Sequence, residues 1–164
     1  SKRRMRDMPN WCEGTMKVRG TKEEVKKFLL EALNPLPDGL LGQIPVEKEV
    51  EEDEWELMIR TKTGFHIKGT HRNFIENNIC FEFAEEETNS EICVLEGFKA
   101  AWGIDPAPLA VLSKTYNVDI KIYAFERGME FNQDVEIHKG ELIKNVEIEF
   151  DDYKWECINP NIGG

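Results

Sequence analysis

The sequence predicts a single α+β domain over residues 1–164, ferredoxin-like, with two helices on one face of a mainly antiparallel sheet and extra C-terminal strands. Three observations lead to this fold class. The chain has 164 residues, which is the usual size of one domain. Two segments combine helical periodicity with capping signals, and several short segments alternate apolar and polar residues. Because strands of a parallel sheet are continuous apolar runs, this alternation favours antiparallel pairing.

The first strand and the first helix are indicated by local signals. Residues 15–19 alternate apolar and basic or polar side chains, and Gly20 ends this predicted strand. Thr21 and Glu24 form a capping box, which predicts a helix over residues 21–33. Pro35 prevents the helix from continuing. The apolar positions of this helix share one face: Val25, Phe28, Leu29, Ala32 and Leu33.

The remaining elements follow in order. Residues 35–42 form a loop rich in Pro, Gly and Leu, and the acidic run over 47–54 is predicted to be a loop as well. Asp105 as N-cap and Pro106 at the first helical position predict a second helix that ends near Tyr116. Alternation predicts strands over 55–60, 65–68, 79–83, 92–95, 118–124, 130–138 and 142–150, and a short edge strand over 153–157.

The charge of the chain is negative and unevenly distributed. Lys and Arg number 21 against 32 Asp and Glu, a net charge of −11. Residues 1–27 have a net charge of +5, so the rest of the chain carries −16. The basic segment 1–7 is expected to fray at the N-terminus. A strongly negative field repels phosphate backbones, which disfavours a general nucleic-acid-binding role for the body of the protein.

The residues that could carry chemistry form no recognisable catalytic pattern. No C-x-x-C pair or Cys/His zinc spacing occurs, so we expect reduced thiols that pack as small apolar side chains: Cys12, Cys80, Cys93 and Cys157. No catalytic residue, metal ligand or cofactor is predicted. A catalytic Cys12 is disfavoured because no histidine can be placed beside it. Trp11 is expected to fill the core, where Trp11→Ala costs about 3–5 kcal/mol of stability, and Trp102 is expected to pack beneath the second helix.

Three segments resemble the YubB-like family of phage, prophage and plasmid proteins. They are MPNWCEGTMKVRG at residues 8–20, AAWGIDP at 100–106, and the ERGM turn within 123–131. Gly14 and Gly103 depart from the Asn and Ser-like residues usual at those positions. The resemblance implies a ferredoxin-like domain and an accessory gene of a mobile element, with a product in the cytoplasm of a bacterial host cell. The family's function is uncharacterised, so no catalytic residue is transferred.

The leading functional interpretation is a non-enzymatic acidic interaction protein of a phage or other mobile element. It would bind, and in its stronger form inhibit, a host protein with a basic surface, such as a nucleic-acid-handling defence complex of the CRISPR type. The physical reason is that carboxylates can occupy sites built for phosphates. The predicted partner-binding residues are six acids of the acidic run: Glu47, Glu49, Glu51, Glu52, Asp53 and Glu54.

Two other interpretations stay open. A ferredoxin-like sheet can present aromatic side chains to single strands, so the alternative is a single-stranded nucleic-acid-binding module. The net charge counts against that alternative. An enzyme ranks third, because no triad, metal cluster or glycine-rich phosphate loop is present. No membrane partner is expected, since no apolar run reaches the about 20 residues that a span requires. The oligomeric state is left open.

Overall fold

A computed structural model describes residues 8–164, and its two long helices begin where the capping signals predict. Helix α1 covers Lys22–Ala32, with a reciprocal capping box between Thr21 and Glu24. Helix α2 covers Pro106–Tyr116 and is capped by the Asp105 side chain. Helix α3 is a single turn, Tyr153–Glu156. The two predicted helices are confirmed, whereas the expected fraying of residues 1–7 lies outside the described residues.

The rest of the described chain forms two sheets in which every pairing is antiparallel. The large sheet has eight strands in the order β11-β10-β9-β1-β8-β6-β5-β2, and the small sheet has three in the order β3-β4-β7. An α+β fold with a mainly antiparallel sheet is therefore confirmed. The strands are β1 Trp11–Gly20, β2 Leu33–Pro35, β3 Glu49–Glu52, β4 Glu56–Arg60, β5 Phe65–Ile67, β6 Asn73–Ile75, β7 Ile79–Glu82, β8 Glu91–Ala101, β9 Asp119–Glu126, β10 Phe131–His138 and β11 Glu141–Glu149.

The core lies between the large sheet and the two long helices. These helices contact each other and the sheet, and the rings of Phe28 and Tyr116 meet edge to face at 5.8 Å. Alternate residues of the central strands are fully buried, as Met16 and Val18 of β1 illustrate. Their neighbours along the strand point to the opposite face, where Lys17 is exposed. One face of the large sheet is thus covered by helices, and the other is open.

Two local predictions about secondary structure are corrected, and the structure adds two short strands. Residues 153–157 are not an edge strand: they form α3, because Tyr153 Oη donates to Asn132 Oδ1 at 3.0 Å and the Glu156 carboxylate accepts from the Asp152 N–H at 2.8 Å. The acidic run is not wholly a loop, since Glu49–Glu52 form β3. Strands β2 and β6 were not predicted, because three residues are too few for a periodic signal.

Three tryptophans lie at least partly at the surface of the protein. Trp11 is half-buried on the open face of the large sheet instead of filling the core. Trp102 is 53% exposed instead of packed beneath α2. Trp55 is 64% exposed and lies just before β4, in a turn closed by the Asp53 side chain. Both corrected predictions, for Trp11 and Trp102, rested on the frequency with which aromatic residues are buried.

Candidate functional site

The acidic run borders an exposed face of the small sheet. Strand β3 is an edge strand whose four residues are all exposed, and it pairs only with β4 in that sheet. The inner face of the sheet contributes Leu57, Ile59 and Phe81 to the core. The outer face, called the acidic sheet face below, consists of the outward side chains of the three strands: Glu49, Glu51, Glu56, Met58, Arg60, Cys80 and Glu82.

Like charges are placed close together on this face. Glu56 and Glu82 are directly opposite each other on β4 and β7, an arrangement that is destabilising when both are ionised. Cys80 Sγ donates to Glu56 Oε2 at 3.4 Å, and desolvation together with that carboxylate raises the pKa of the Cys80 thiol. Ligand atoms of these three residues lie within 4.8 Å of one another, the one such group of possible metal ligands among residues 8–164. A carboxylate-binding cation or a basic group would relieve the repulsion.

Positive charge on the acidic sheet face is sparse. Arg60 is its single cation within the described residues, and its Nη1 lies 3.8 Å from Glu51 Oε2. Glu47 precedes β3, is exposed, and lines a shallow hollow beside this face together with Glu49, Arg60 and Lys62. Three of the six predicted partner-binding residues therefore face this surface or its border. The structure adds Glu82, whose position beside β4 depends on a strand pairing that alternation alone does not reveal.

The other three predicted residues have different contacts. Glu52 points toward α1, where its carboxylate lies 2.6 Å from Lys26 Nζ and raises the pKa of that lysine. Asp53 closes the β3–β4 turn, since its side chain accepts from the N–H groups of Trp55 and Glu56 at 2.8 and 2.9 Å. Glu54 is exposed and borders a separate hollow. Glu52 and Asp53 nevertheless line a hollow together with Glu51, Glu56 and Met58 of the acidic sheet face, whereas Glu54 borders a different one.

The buried thiols are poor nucleophiles in this fold. Cys12 is fully buried, and desolvation followed by the charge of Glu126 raises its pKa to about 12. Desolvation likewise raises the pKa of Cys93 to about 12. Both thiols stay protonated near neutral pH, whereas nucleophilic attack requires the thiolate. The protonated thiol of Cys12 is therefore poorly suited to nucleophilic catalysis.

A second surface feature lies where β1 and β8 meet β5 and β6 on the open face of the large sheet. It is a hollow of about 510 Å³ that combines aromatic and basic side chains. The rings of Trp11 and Phe74 meet edge to face with centroids 6.0 Å apart. Lys99 Nζ lies 4.4 Å from the centroid of the Trp11 ring. We call this feature the Trp11 groove and define it by Trp11, Lys62, Arg72, Phe74, Glu76 and Lys99.

Arg72 links the Trp11 groove to an exposed tryptophan beside it. The guanidinium carbon of Arg72 lies 5.4 Å from the Trp11 ring centroid and 5.6 Å from that of Trp102. Trp102 has a φ of 61°, in the left-handed region that bulky residues rarely adopt. The backbone N–H of Trp102 donates to the Asn10 carbonyl at 2.7 Å, and this hydrogen bond holds the strained backbone in place. Sequence reasoning missed this constellation, because its members are far apart in the chain.

Comparisons of the chain with protein-family models, with curated proteins and with solved structures give no match. Within residues 8–164, every helix is too short to cross a membrane as an apolar span.

Proposed function

We propose that this chain is a non-enzymatic interaction protein whose acidic sheet face binds a basic surface of a partner protein. One observation carries the proposal. The acidic sheet face holds four carboxylates and one guanidinium, and two of the carboxylates lie directly opposite each other. Such an arrangement costs stability in the free protein. Basic groups of a partner would offset that cost, and they would gain carboxylate contacts that replace phosphate contacts.

The partner class follows from the charge and the rigidity of this face. Carboxylates on paired strands keep fixed spacings, as phosphates along a backbone do, whereas a loop would let them spread apart. We therefore propose a host protein with a basic nucleic-acid channel, such as a CRISPR-type defence complex, as the class of target. Binding would block the channel and so inhibit the complex, within the cytoplasm of the bacterial host.

The proposed origin and core fold rest on separate support. We propose a YubB-like accessory protein of a mobile element because three segments of the sequence resemble that family. We propose a ferredoxin-like core because β1 lies between β8 and β9, α1 follows β1, and α2 connects β8 to β9. Neighbouring genes test the origin: phage or plasmid genes on both sides are expected, and a housekeeping operon would contradict it.

Affinity capture from a bacterial lysate tests the interaction with two variants of equal charge. The acidic-face variant replaces Glu49, Glu51, Glu56 and Glu82 with Gln. Glu52 and Asp53 are kept, because their side chains make the structural contacts described above. The matched control neutralises four exposed acids elsewhere: Glu85, Glu86, Glu87 and Asp151. Wild type and control should enrich the same basic protein, and the acidic-face variant should lose it.

Calorimetry with the captured partner then measures the size of the effect. Loss of four exposed charge contacts should weaken binding by about tenfold or more at low salt, and the difference should shrink as salt is added. An oligonucleotide that fills the partner's channel should compete with the wild-type chain. If the acidic-face variant and the control bind equally, or if wild type enriches no basic protein, the proposal is wrong.

A further inference from the structure

The Trp11 groove concentrates positive charge in a protein that is strongly negative overall. Lys62, Arg72 and Lys99 line it, and Glu76 is the acid among its lining residues. Glu76 pairs with Lys99 at 2.6 Å. Lys62 pairs outside the groove with Asp38 at 3.1 Å and remains 70% exposed. The residues that line the groove therefore carry more positive than negative charge, although the net charge of the whole chain is −11.

Arg72 is the basic group best placed to bind an added anion. No carboxylate of the described residues lies within 4.0 Å of its guanidinium, although that group is held against two indole rings. These cation–π contacts restrain the guanidinium while its N–H groups stay available for oxyanions. A preorganised, unpaired arginine of this kind fits the geometry of phosphate recognition.

Aromatic side chains supply the second half of the recognition chemistry. Trp11 and Phe74 are half-buried at the groove, and Trp102 presents an exposed ring on the other side of Arg72. A base of any identity can stack on such a ring, because every base has a π-face. The hollow, of about 510 Å³, is large enough to admit one nucleotide.

We infer that the Trp11 groove binds single-stranded nucleic acid, with bases stacked on Trp11, Phe74 or Trp102 and phosphates on Arg72, Lys99 and Lys62. This surface is distinct from the acidic sheet face, so the inference is independent of the proposed function. A duplex is disfavoured because its larger footprint would meet the surrounding negative charge. An acidic peptide would satisfy the cations but would leave the aromatic rings without a stacking partner.

Fluorescence anisotropy with a labelled oligo(dT) of about eight nucleotides tests the inference on the full chain. Binding at 50 mM salt is expected, with quenching of tryptophan fluorescence. With three phosphate contacts and a slope of about −0.7 per contact, Kd should rise about 20-fold between 50 and 200 mM salt. A duplex of the same length and a polyglutamate peptide should bind at least tenfold more weakly.

Three variants locate the site. Lys62→Gln with Arg72→Gln should weaken binding at least tenfold, whereas Lys17→Gln with Lys68→Gln, which makes the same charge change at exposed positions, should leave Kd within twofold. Trp102→Gly removes a stacking ring at a backbone conformation that glycine adopts readily, so folding is preserved and affinity should fall. No binding by the folded wild-type chain, equal effects of the two double variants, or equal affinity for polyglutamate would each overturn the inference.

Discussion

Gly14→Ala is expected to destabilise the fold strongly, because β1 and β9 are too close at this position for any side chain. Gly14 is directly opposite Ala124 of β9, and the register between β1 and β8 shifts beside it. A Cβ at Gly14 would lie 2.1 Å from the Tyr123 carbonyl oxygen and 2.8 Å from the Ala124 Cα. These are backbone atoms of a central strand, so they cannot rotate away as a side chain would.

The magnitude follows from the displacement that the methyl group demands. Cβ contacts below 3.0 Å are essentially never observed, so the two strands must separate by about 0.9 Å at this point. Overpacking in a core costs about 1–3 kcal/mol, and each weakened ladder hydrogen bond costs about 1 kcal/mol more. Ala also lowers the conformational entropy of the unfolded chain, which offsets about 0.4–1 kcal/mol of this cost. The net cost is about 3 kcal/mol, or a decrease in Tm of about 6–12 °C.

Urea unfolding followed by circular dichroism measures this cost, with Gly20→Ala as the matched control. Gly20 is also in β1, but a Cβ there would first meet the Val118 side chain at 3.3 Å, and that methyl can shift. The control should change the free energy of unfolding by less than about 1 kcal/mol. If Gly14→Ala is as stable as Gly20→Ala, the close approach of β1 and β9 is not a feature of the folded protein.

Three further predictions test other parts of the fold. Thr21→Ala removes the reciprocal cap of α1 and should cost about 1 kcal/mol in urea unfolding; an unchanged midpoint would contradict the cap. Trp11→Ala should cost about 1–2 kcal/mol, less than a fully buried aromatic, because Trp11 is half-buried; a loss above 3 kcal/mol would place it in the core. The hydrogen bond from Lys121 lowers the pKa of Glu136 below 4.5, so this stabilisation is present above the unfolded pKa and is lost as pH falls through the lowered value. Glu136→Gln should therefore flatten the acid side of a stability–pH profile, and an unaltered profile would refute the pairing.

The elements that sequence reasoning placed correctly are those with signals inside a few consecutive residues. The cap at Thr21 and the Asp105-Pro106 start specify both long helices locally. The final segment shows the limit of such reasoning. Its Tyr153 side chain reaches Asn132 on β10, a contact between residues 21 positions apart, and this tertiary contact favours a helical turn over the predicted edge strand.

The candidate site was predictable only in part, because strand pairing decides which side chains share a face. Counting acids found Glu49 and Glu51, but the same count included Glu52, whose side chain turns inward to Lys26. Glu82 was not singled out, since its position opposite Glu56 follows from the β4–β7 register. The tendency of aromatic side chains to be buried likewise placed Trp11 in the core, although the parity of β1 directs it to the open face. A one-residue change in register would reverse each of these assignments.

Charge separation between the two sheets explains why a strongly acidic chain can have a basic groove. On the open face of the large sheet, cations are matched by neighbouring acids, as Arg19 with Asp119 at 2.7 Å and Lys121 with Glu136 at 2.9 Å. On the acidic sheet face, Arg60 is the one cation of the described residues beside four carboxylates, although Glu52 on the opposite face of the small sheet pairs with Lys26. At 0.1 M salt, screening over about 10 Å lets each surface act through its own local potential. Net charge therefore bears on the partner proposed for the acidic sheet face, and it does not decide the chemistry of the Trp11 groove.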